Sequence, residues 1–247
     1  KKIMLLKIDV GNSRVKVAVF EHNNPIEFFV FDSENTKKKF ENIFKKYPKA
    51  QKAILSSVGK LDDATQKVIQ TNLKTEILSH KTTFPFTNSY ATPATLGIDR
   101  LVLAAGAVLT YPNQNRLVID AGTCITYDFI DANDNYLGGA ISPGLQIRYK
   151  SLNNFTEKLP LLEKKEISNF IGNSTENSIH SGIINGICFE IDGFISQYLG
   201  EFQDLTIILT GGDTDFLAKR LKNTIFANSN FLLESLNLLS IYSNEND

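Results

Sequence analysis

Two short segments of this chain carry an aspartate, a glycine and a hydroxyl residue in the same order. They are Asp9-Val10-Gly11-Asn12-Ser13 and Asp120-Ala121-Gly122-Thr123. The glycine gives each turn its backbone freedom and lets backbone N–H groups face a phosphate. A carboxylate that ends a buried strand, as Asp9 would, can hold a hydrated Mg²⁺. Each segment could equally be an ordinary hairpin turn, since Asn and Gly favour such turns.

A third glycine segment, Thr210-Gly211-Gly212-Asp213, follows the apolar stretch Leu205–Leu209. Paired glycines between a strand and a helix let a base or ribose approach closely, and a helix N-terminus favours a phosphate. A plain strand-to-helix turn with Asp213 as N-cap would look the same. The sequence has neither a Gly-x-x-x-x-Gly-Lys-Ser/Thr loop nor a Gly-x-Gly-x-x-Gly loop. ATP binding, if present, would therefore not be of the P-loop or Rossmann type.

The elements around the first two turns repeat. Strand patterns at Lys2–Val10 and Val15–Phe20 flank the first turn, and patterns at Arg116–Asp120 and Cys124–Ile130 flank the second. Each half of the chain therefore opens with a predicted strand–turn–strand hairpin. Two such hairpins suggest a pair of phosphate-binding turns that serve one nucleotide.

The rest of the chain alternates strand and helix patterns, which indicates an α/β fold with helix-covered sheets. We predict further strands at Ile26–Phe31, Ala53–Val58, Glu76–His80, Asn135–Ile141, Leu205–Leu209 and Ile225–Ala227. We predict helices at Glu34–Tyr47, Asp62–Leu73, Leu96–Thr110, Pro143–Leu152, Thr175–Leu199, Asp213–Leu221 and Phe231–Ile241. The link between halves falls near Pro112, which gives an N-terminal lobe at 1–110 and a C-terminal lobe at 111–247.

Composition excludes several classes of partner. The 247 residues include 26 basic and 27 acidic side chains, and this balance offers no electrostatic footprint for nucleic acid or for an anionic membrane. No apolar run approaches the roughly 20 residues that cross a bilayer. Cys124 and Cys188 are too few for a disulfide framework and lack metal-ligand spacing. We therefore expect a cytoplasmic protein without a nucleic-acid or membrane partner.

Several motifs in one order make the chain resemble type III pantothenate kinases, in the actin, sugar-kinase and heat-shock-chaperone superfamily. The resemblance spans almost the whole chain. Its departures are mild: Ser13 stands where Thr is common, and Cys124 where Ala is common. The matching segments are Asp9–Lys16, Gly97-Ile98-Asp99-Arg100, Asp120–Thr123, Gly138-Gly139-Ala140-Ile141-Ser142-Pro143-Gly144, Asn173-Ser174-Thr175 and Thr210–Asp213.

The resemblance implies a fold of two actin-like (ribonuclease H-like) lobes, each a mixed β-sheet flanked by helices, with a nucleotide cleft between them. It implies the reaction of ATP with pantothenate to give ADP and 4′-phosphopantothenate, the first step toward coenzyme A. It also implies Mg²⁺, a monovalent cation (K⁺ or NH₄⁺) and a homodimer.

The resemblance further assigns roles to single residues. Asp99 would be the catalytic base for the pantothenate hydroxyl, and Asp120 would bind the monovalent cation. Asp9 would bind Mg²⁺, directly or through water. The ATP-binding residues would be Asp9, Val10, Gly11, Asn12, Ser13, Arg14, Val15, Lys16, Thr123, Gly211 and Gly212. The substrate-binding residues would be Tyr90, Gly97, Ile98, Asp99, Arg100 and Thr175.

Most of these roles have a structural alternative. The Asp99–Arg100 pair could be a helix-capping ion pair, although Arg suits the carboxylate of pantothenate because its fork donates two hydrogen bonds. Lys16 could be a solvated strand residue. Tyr90 could be a buried loop aromatic. The resemblance implies that Thr175 contacts the substrate of a neighbouring subunit. Thr175 could instead be the N-cap of a long helix.

Three glycines on that helix, Gly182, Gly186 and Gly193, cost stability there, and close packing of a second backbone would explain them. The three histidines, His22, His80 and His180, share no spacing with a carboxylate and are expected at the surface or in loops. Two rival functions remain: another small-molecule kinase of the same superfamily, and a non-catalytic regulator that retains the fold.

Overall fold

The computed structural model describes residues 4–57, 59, 61–167 and 169–246 of the chain. They form two compact units. Unit 1 contains the residues up to Thr110 together with those from Asn230 onward, and unit 2 contains Tyr111–Ser229. Residues 230–246, which were predicted to lie in the C-terminal lobe, belong to unit 1 in the structure. The predicted first strand starts at Lys2 and the predicted fourth ends at Val58, and both of these residues lie outside the described ranges.

The sheet of unit 1 begins as an antiparallel meander of β1 (Met4–Val10), β2 (Arg14–Glu21) and β3 (Asn24–Asp32). Two parallel strands, β4 (Ala50–Ser57) and β5 (Lys74–Ile77), complete the order β3-β2-β1-β4-β5. The connecting helices are α1 (Thr36–Lys46) and α2 (Asp63–Asn72), and Asp62 caps α2 by accepting a 2.8 Å hydrogen bond from the Thr65 N–H.

The two faces of β1 carry different chemistry because successive side chains of a strand alternate between faces. Leu6, Ile8 and Val10 lie in one core cluster with apolar residues of α1 and α2. Lys7 and Asp9 lie on the opposite face and are also buried. Each buried aliphatic side chain contributes roughly 1.5–3 kcal/mol of hydrophobic stabilisation, which fixes the strand that ends at the first glycine turn.

A segment with little regular structure follows β5 and leads to a buried helix. It contains β6 (Thr87–Asn88) and a 3₁₀ turn at Pro93–Thr95, neither of which the sequence analysis predicted. The helix is α3 (Ile98–Thr110), whose residues from Ile98 to Val108 are mostly buried. The motif Gly97–Arg100 therefore starts a helix whose body is anchored in the core.

Unit 2 repeats the topology of unit 1. Its strands are β7 (Asn115–Ala121), β8 (Cys124–Ile130), β9 (Asn135–Pro143), β10 (Leu205–Thr210) and β11 (Phe226–Ala227). They lie in the order β9-β8-β7-β10-β11, with β7 antiparallel to β8 and parallel to β10. This matches the order β3-β2-β1-β4-β5 strand for strand, which confirms the internal repeat and both predicted hairpins.

The helices of unit 2 are α4 (Leu145–Asn154), α5 (Thr175–Glu201) and α6 (Thr214–Ala218). The core of this unit joins apolar residues of β7 and β10 to the isoleucines of α5. The N-cap of α5 is Ser174, whose side chain accepts a 3.2 Å hydrogen bond from the Asn177 N–H. The alternative interpretation of Thr175 as the N-cap is therefore wrong by one residue.

His180 contradicts the expectation that the histidines lie at the surface or in loops. It is buried within α5, and its Nδ1 lies 2.7 Å from the hydroxyl of Tyr149. Burial lowers the pKa of His180, and the positive charge of Lys165 acts in the same direction. The neutral ring therefore joins α5 to α4 as part of the core.

The chain returns to unit 1 in α7 (Phe231–Asn246), which packs on α3 and β1. The buried Lys7 Nζ donates a 2.6 Å hydrogen bond to Ser240 Oγ of this helix. Burial lowers the pKa of Lys7 to about 7, although Glu76 acts in the opposite sense. Every helix within the described ranges is too short or too polar to cross a lipid bilayer.

The contact between α3 and α7 depends on Gly106. A Cβ at this position would overlap the side chain of Ser235 and lie 3.1 Å from its Cα. We expect Gly106→Ala to lower the free energy of unfolding by about 1–3 kcal/mol, because the added methyl group overpacks the helix contact. Urea unfolding measures this change. The double variant Gly106→Ala/Ser235→Gly should recover part of the loss, and a Gly106→Ala protein as stable as the wild type would contradict the described packing.

Candidate active site

The first glycine turn closes where β1 ends. The Gly11 N–H donates a 3.0 Å hydrogen bond to the Arg14 carbonyl oxygen, and residues 12–14 are exposed. Asp9 is buried one residue before the strand ends. Lys16 is its cross-strand neighbour on β2, so both side chains lie on one face of the sheet. The predicted ATP-binding residues Asp9, Gly11, Asn12, Ser13 and Lys16 therefore lie in or beside this turn, and their role stays a prediction.

Gly59 also belongs to this turn, and the sequence analysis missed it. Its N–H donates a 2.9 Å hydrogen bond to the Val10 carbonyl oxygen. A Cβ on Gly59 would overlap the carbonyl of Gly11, so only glycine fits here. The signal that could have revealed it is a glycine just after a buried strand. Its counterpart in the second half is Asp213, whose N–H donates to the Ala121 carbonyl oxygen.

The second turn is held by a glycine from the loop after β9. The Gly122 N–H donates to the Cys124 carbonyl oxygen at 2.9 Å, and the Gly144 N–H donates to the Thr123 carbonyl oxygen at 3.1 Å. A Cβ on Gly144 would overlap both Gly122 and Thr123 carbonyl oxygens. The Gly138–Gly144 segment therefore meets the Asp120–Thr123 turn directly, and Thr123 remains exposed.

The paired glycines after β10 meet the same turn from the other side. Gly211 has φ +101°, and a Cβ there would overlap both the Ala121 carbonyl oxygen and Asp120 Oδ1. The Asp213 N–H donates a 3.0 Å hydrogen bond to the Ala121 carbonyl oxygen. The structure thus brings together Asp120, Thr123, Gly211 and Gly212, which lie some ninety positions apart in the printed sequence.

A four-residue network supports the loop that carries Gly144, and the sequence analysis did not find it. Glu190 of α5 accepts hydrogen bonds from Tyr127 (3.1 Å), Ser142 (2.5 Å) and Arg148 (2.5 Å). Burial alone would raise the pKa of Glu190, but the hydrogen bonds from Ser142 and Arg148 outweigh it and hold this pKa below its usual value. The ionised Glu190 therefore ties α5 to the residues on either side of Gly144.

Asp99 and Arg100 occupy the first turn of α3. The Arg100 N–H donates a 2.9 Å hydrogen bond to Asp99 Oδ1, and a Cβ on Gly97 would overlap the same oxygen. Burial raises the pKa of the Asp99 carboxyl, against the opposing effects of that hydrogen bond and of the Arg100 charge. A half-buried carboxylate of raised pKa is a better proton acceptor than an exposed one.

Arg100 and Tyr90, both predicted to bind the substrate, are neighbours in the structure. Arg100 is 6% exposed, and its guanidinium carbon lies 5.8 Å from the centroid of the Tyr90 ring. This is the range of a cation–π contact, which holds the planar fork in one orientation. The Asp99–Arg100 pair therefore has an aromatic support that a simple helix cap would not require.

A cavity of about 200 Å³ adjoins this helix within unit 1. Its wall mixes aromatic and polar side chains, and His80 Nε2 lies 2.8 Å from the Leu96 carbonyl oxygen. The lining residues are His80, Thr82, Phe84, Phe86, Asn88, Pro93 and Leu101. Leu101, one position after Arg100, is the residue that α3 contributes to this wall.

Thr175 is the one predicted substrate residue that the structure does not join to other site residues. It is exposed at the first position of α5 and makes no side-chain hydrogen bond within the described ranges. Within those ranges, no group of three or more His, Cys, Asp or Glu side chains is arranged to hold a metal ion.

The family model of type III pantothenate kinases matches residues 5–197. A type III pantothenate kinase of Flavobacterium johnsoniae is 56% identical over 244 residues, which cover 99% of this chain and 100% of that protein. Another from Phocaeicola vulgatus is 40% identical, covering 98% and 100%.

Solved structures resemble the chain more distantly. A conserved protein of Campylobacter jejuni, described as a Baf family transcriptional activator, aligns with TM-score 0.59 and 22% identity, covering 98% of this chain and 100% of that one. The activator of a 2-hydroxyisocaproyl-CoA dehydratase from Clostridium difficile, solved with bound ADPNP, aligns with TM-score 0.55 and 12% identity, covering 98% and 95%. These likenesses show the fold alone, and it is the actin-like α/β fold that the sequence motifs implied.

Gly122 in the second turn and Gly211, which packs against that turn, should respond very differently to an added methyl group. We expect Gly211→Ala to lower the free energy of unfolding by at least about 2 kcal/mol, because its φ is positive and the Cβ overlaps a carbonyl oxygen. Gly122→Ala is the matched control. The nearest atoms to its Cβ lie 3.8 Å away, so we expect a change within about 0.5 kcal/mol. Chemical denaturation compares the two, and equal losses would contradict the described approach of Gly211.

Proposed function

Since the chain belongs to the type III pantothenate kinase family, we propose that it transfers the terminal phosphoryl group of ATP to the hydroxyl of pantothenate. The products are ADP and 4′-phosphopantothenate, and the reaction is the first step toward coenzyme A. The observation that carries the proposal is the half-buried Asp99, with its raised pKa, beside the Tyr90-supported Arg100. We further expect a cytoplasmic enzyme, consistent with two cysteines that form no disulfide.

The glycine turns bind the nucleotide in this proposal. Phosphoryl transfer needs positioning and charge stabilisation more than covalent chemistry from the protein. The exposed residues 12–14 offer backbone N–H groups, the Asn12 amide and the Ser13 hydroxyl, and Lys16 adds a positive charge beside Asp9. In unit 2, the proposed ATP contacts are Thr123 and the Gly211-Gly212 pair.

The donors around both turns suit hard cations. The carboxylates of Asp9 and Asp120 stand at strand ends among backbone carbonyls and hydroxyls, and oxygen ligands of this kind are what Mg²⁺ and K⁺ prefer. Asp9 would hold the divalent metal, directly or through water, and Asp120 the monovalent cation. When bound, the divalent metal would neutralise charge that develops on the phosphate oxygens.

Asp99 and Arg100 act on the phosphoryl acceptor, pantothenate. Arg100 binds the pantothenate carboxylate, for which its two-donor fork is suited. Asp99 accepts the proton of the attacking hydroxyl as the oxygen bonds to phosphorus. The adjoining cavity, with Phe84, Phe86 and Leu101 in its wall, supports an acceptor that has an apolar portion.

A homodimer is part of the proposal. Gly182, Gly186 and Gly193 lie on one stripe of α5 together with Phe189, which is 53% exposed. An added Cβ on each of these glycines would meet no described atom within 4 Å, so the glycines leave room for a second backbone. A second copy packed on this stripe would also bring its Thr175 toward a neighbouring active site, as the family resemblance implies.

The proposed function is tested with an enzyme assay that measures ADP release in the presence of pantothenate. We expect turnover that requires Mg²⁺ and rises with K⁺. Asp99→Asn should lower kcat by about 10²–10⁴-fold, the usual contribution of a general base. The variant should also lose the fall in kcat/KM at low pH. In the wild type this fall should occur above the ordinary pKa of an aspartate, because burial raises the pKa of Asp99.

The stability of the same variant provides the control. A carboxyl whose pKa is raised by folding stabilises the protein fully below its unfolded pKa and loses that contribution as pH rises through the folded pKa. At pH 7, Asp99→Asn should therefore unfold no more easily than the wild type. The difference in the free energy of unfolding between the two proteins should shrink toward pH 3. Unchanged turnover by Asp99→Asn, or phosphorylation of a hexose but not of pantothenate, would refute the assignment.

The dimer is tested by Gly193→Arg, which places a long charged side chain on the α5 stripe. We expect the wild type to sediment as a dimer and this variant as a folded monomer of lower activity, because the stripe is open within one chain. Gln70→Arg, at an exposed position of α2, is the matched control and should remain dimeric. A fully active wild-type monomer would rule the dimer out.

A further inference from the structure

Two buried hydroxyl groups occupy the same place in the two units. Ser56 is the neighbour of Asp9 across the parallel strands β4 and β1. Thr210 is the neighbour of Asp120 across the parallel strands β10 and β7. Because β4 and β10 are equivalent strands of a repeated topology, each unit has a hydroxyl residue beside the aspartate of its glycine turn.

Both hydroxyls lack a hydrogen bond in the part of the chain that the structure describes. Ser56 is 0% exposed and Thr210 is 1% exposed, and neither Ser56 Oγ nor Thr210 Oγ1 has a hydrogen-bond partner there. Buried polar groups are almost always paired, and an unpaired one destabilises the fold. Apolar residues at these positions would avoid that cost, as their strand neighbours Leu55 and Leu209 do.

Each hydroxyl lies on the same face of its sheet as the neighbouring carboxylate. Neighbours in register on adjacent strands have side chains on the same face of a sheet. Asp120 in addition reaches over the end of β10, since its Oδ1 would overlap a Cβ on Gly211, the residue after Thr210. In unit 1 the chain beyond β4 returns to β1 through the hydrogen bond of Gly59 to Val10.

We propose that Ser56 and Thr210 are further cation-site residues, and that each hydroxyl oxygen binds, directly or through one water, the cation held by the neighbouring aspartate. The identity of each ion rests on the proposed function: a divalent metal at Asp9 and a monovalent cation at Asp120. A hydroxyl oxygen suits both ions, and the bound ion or its water satisfies the group that the protein alone leaves unpaired. The repeat of the pair in both units argues against an accident of packing.

The test separates the two ions. Ser56→Ala should weaken activation by Mg²⁺ about 10- to 100-fold, the usual effect of losing a group that supports a metal site, with little change in activation by K⁺. Thr210→Val, which keeps the shape of the side chain, should weaken activation by K⁺ and leave Mg²⁺ activation near the wild-type value. Thr210→Ser restores the hydroxyl and should restore K⁺ activation.

Direct binding provides a readout that does not depend on turnover. Mn²⁺ replaces Mg²⁺, and its binding to the protein with ADP is followed by electron paramagnetic resonance. Ser56→Ala should weaken Mn²⁺ binding by the same factor, while the ion-free variant unfolds no more easily than the wild type. Thr206→Val is the matched control, because Thr206 lies on the same face of β10 but donates its hydrogen bond to Gln114. This variant should be less stable, but its affinity for either ion should not change.

Two results would overturn the proposal. One is wild-type ion dependence in both Ser56→Ala and Thr210→Val. The other is a loss of stability in the ion-free variants without any change in ion affinity, which would make the hydroxyls structural. A wild-type protein that binds Mn²⁺ and ADP but does not phosphorylate pantothenate would instead refute the proposed function, and the Mn²⁺ measurement would still decide the role of Ser56.

Discussion

The constraint on which the site depends is the close approach of backbone to backbone at the ends of two pairs of parallel strands. In unit 1 Gly59 lies against the carbonyl of Gly11, and in unit 2 Gly144 and Gly211 lie against the turn of residues 121–123. A Cβ at any of these three glycines would overlap a carbonyl oxygen, so a larger residue would open the turn. The carboxylate at each strand end is then fixed by the sheet, while Asn12 and Ser13 of the first turn and Thr123 of the second remain exposed. The geometry of the candidate site therefore depends on close contacts between main-chain atoms.

The two units form these glycine turns with equivalent strands, but different side chains hold the turns in place. Unit 2 places the ionised Glu190 behind the loop of Gly144, so the turn is coupled to α5 through three hydrogen bonds. Unit 1 instead holds β1 between a core of aliphatic side chains and the helix α7, to which Lys7 donates a hydrogen bond. Since α5 also carries the glycine stripe proposed as a dimer contact, the Glu190 network is a physical link through which a second copy could steady the nucleotide turn. Lys7 gives unit 1 a comparable link to the C-terminal end of the chain.

Much of this arrangement could be predicted from the sequence because its signals are local. The glycine turns, the alternating strands and the motif around Asp99 are each contained in fewer than ten consecutive residues, and the repeat followed from comparing two of them. The residues that were missed depend on distant parts of the chain. Lys7 alternates with Leu6 and Ile8, a pattern that predicts an exposed face, and only α7, more than two hundred residues later, covers it. His180 was misjudged for the same reason, since nothing in the helix sequence shows that Tyr149 lies opposite. Gly59 carries no motif of its own, and its role appears only when β4 is placed beside β1.

The groups proposed to bind ligands are buried at a cost to the stability of the fold. Burial raises the pKa of Asp99, so its ionised form destabilises the folded protein at neutral pH. Ser56 and Thr210 are buried hydroxyls without described partners, which is again unfavourable in the ion-free protein. Other buried polar groups, such as those of Tyr149, Glu190 and Ser240, are satisfied by neighbours, whereas Arg116 Nε and Asn237 Oδ1 also lack a described partner. Only the hydroxyls of Ser56 and Thr210 recur at equivalent positions of the two units, beside Asp9 and Asp120, two of the carboxylates that the proposed reaction requires. A fold under selection for stability alone would have replaced these groups, and a bound ion or substrate is the simplest reason why their unfavourable burial has been retained.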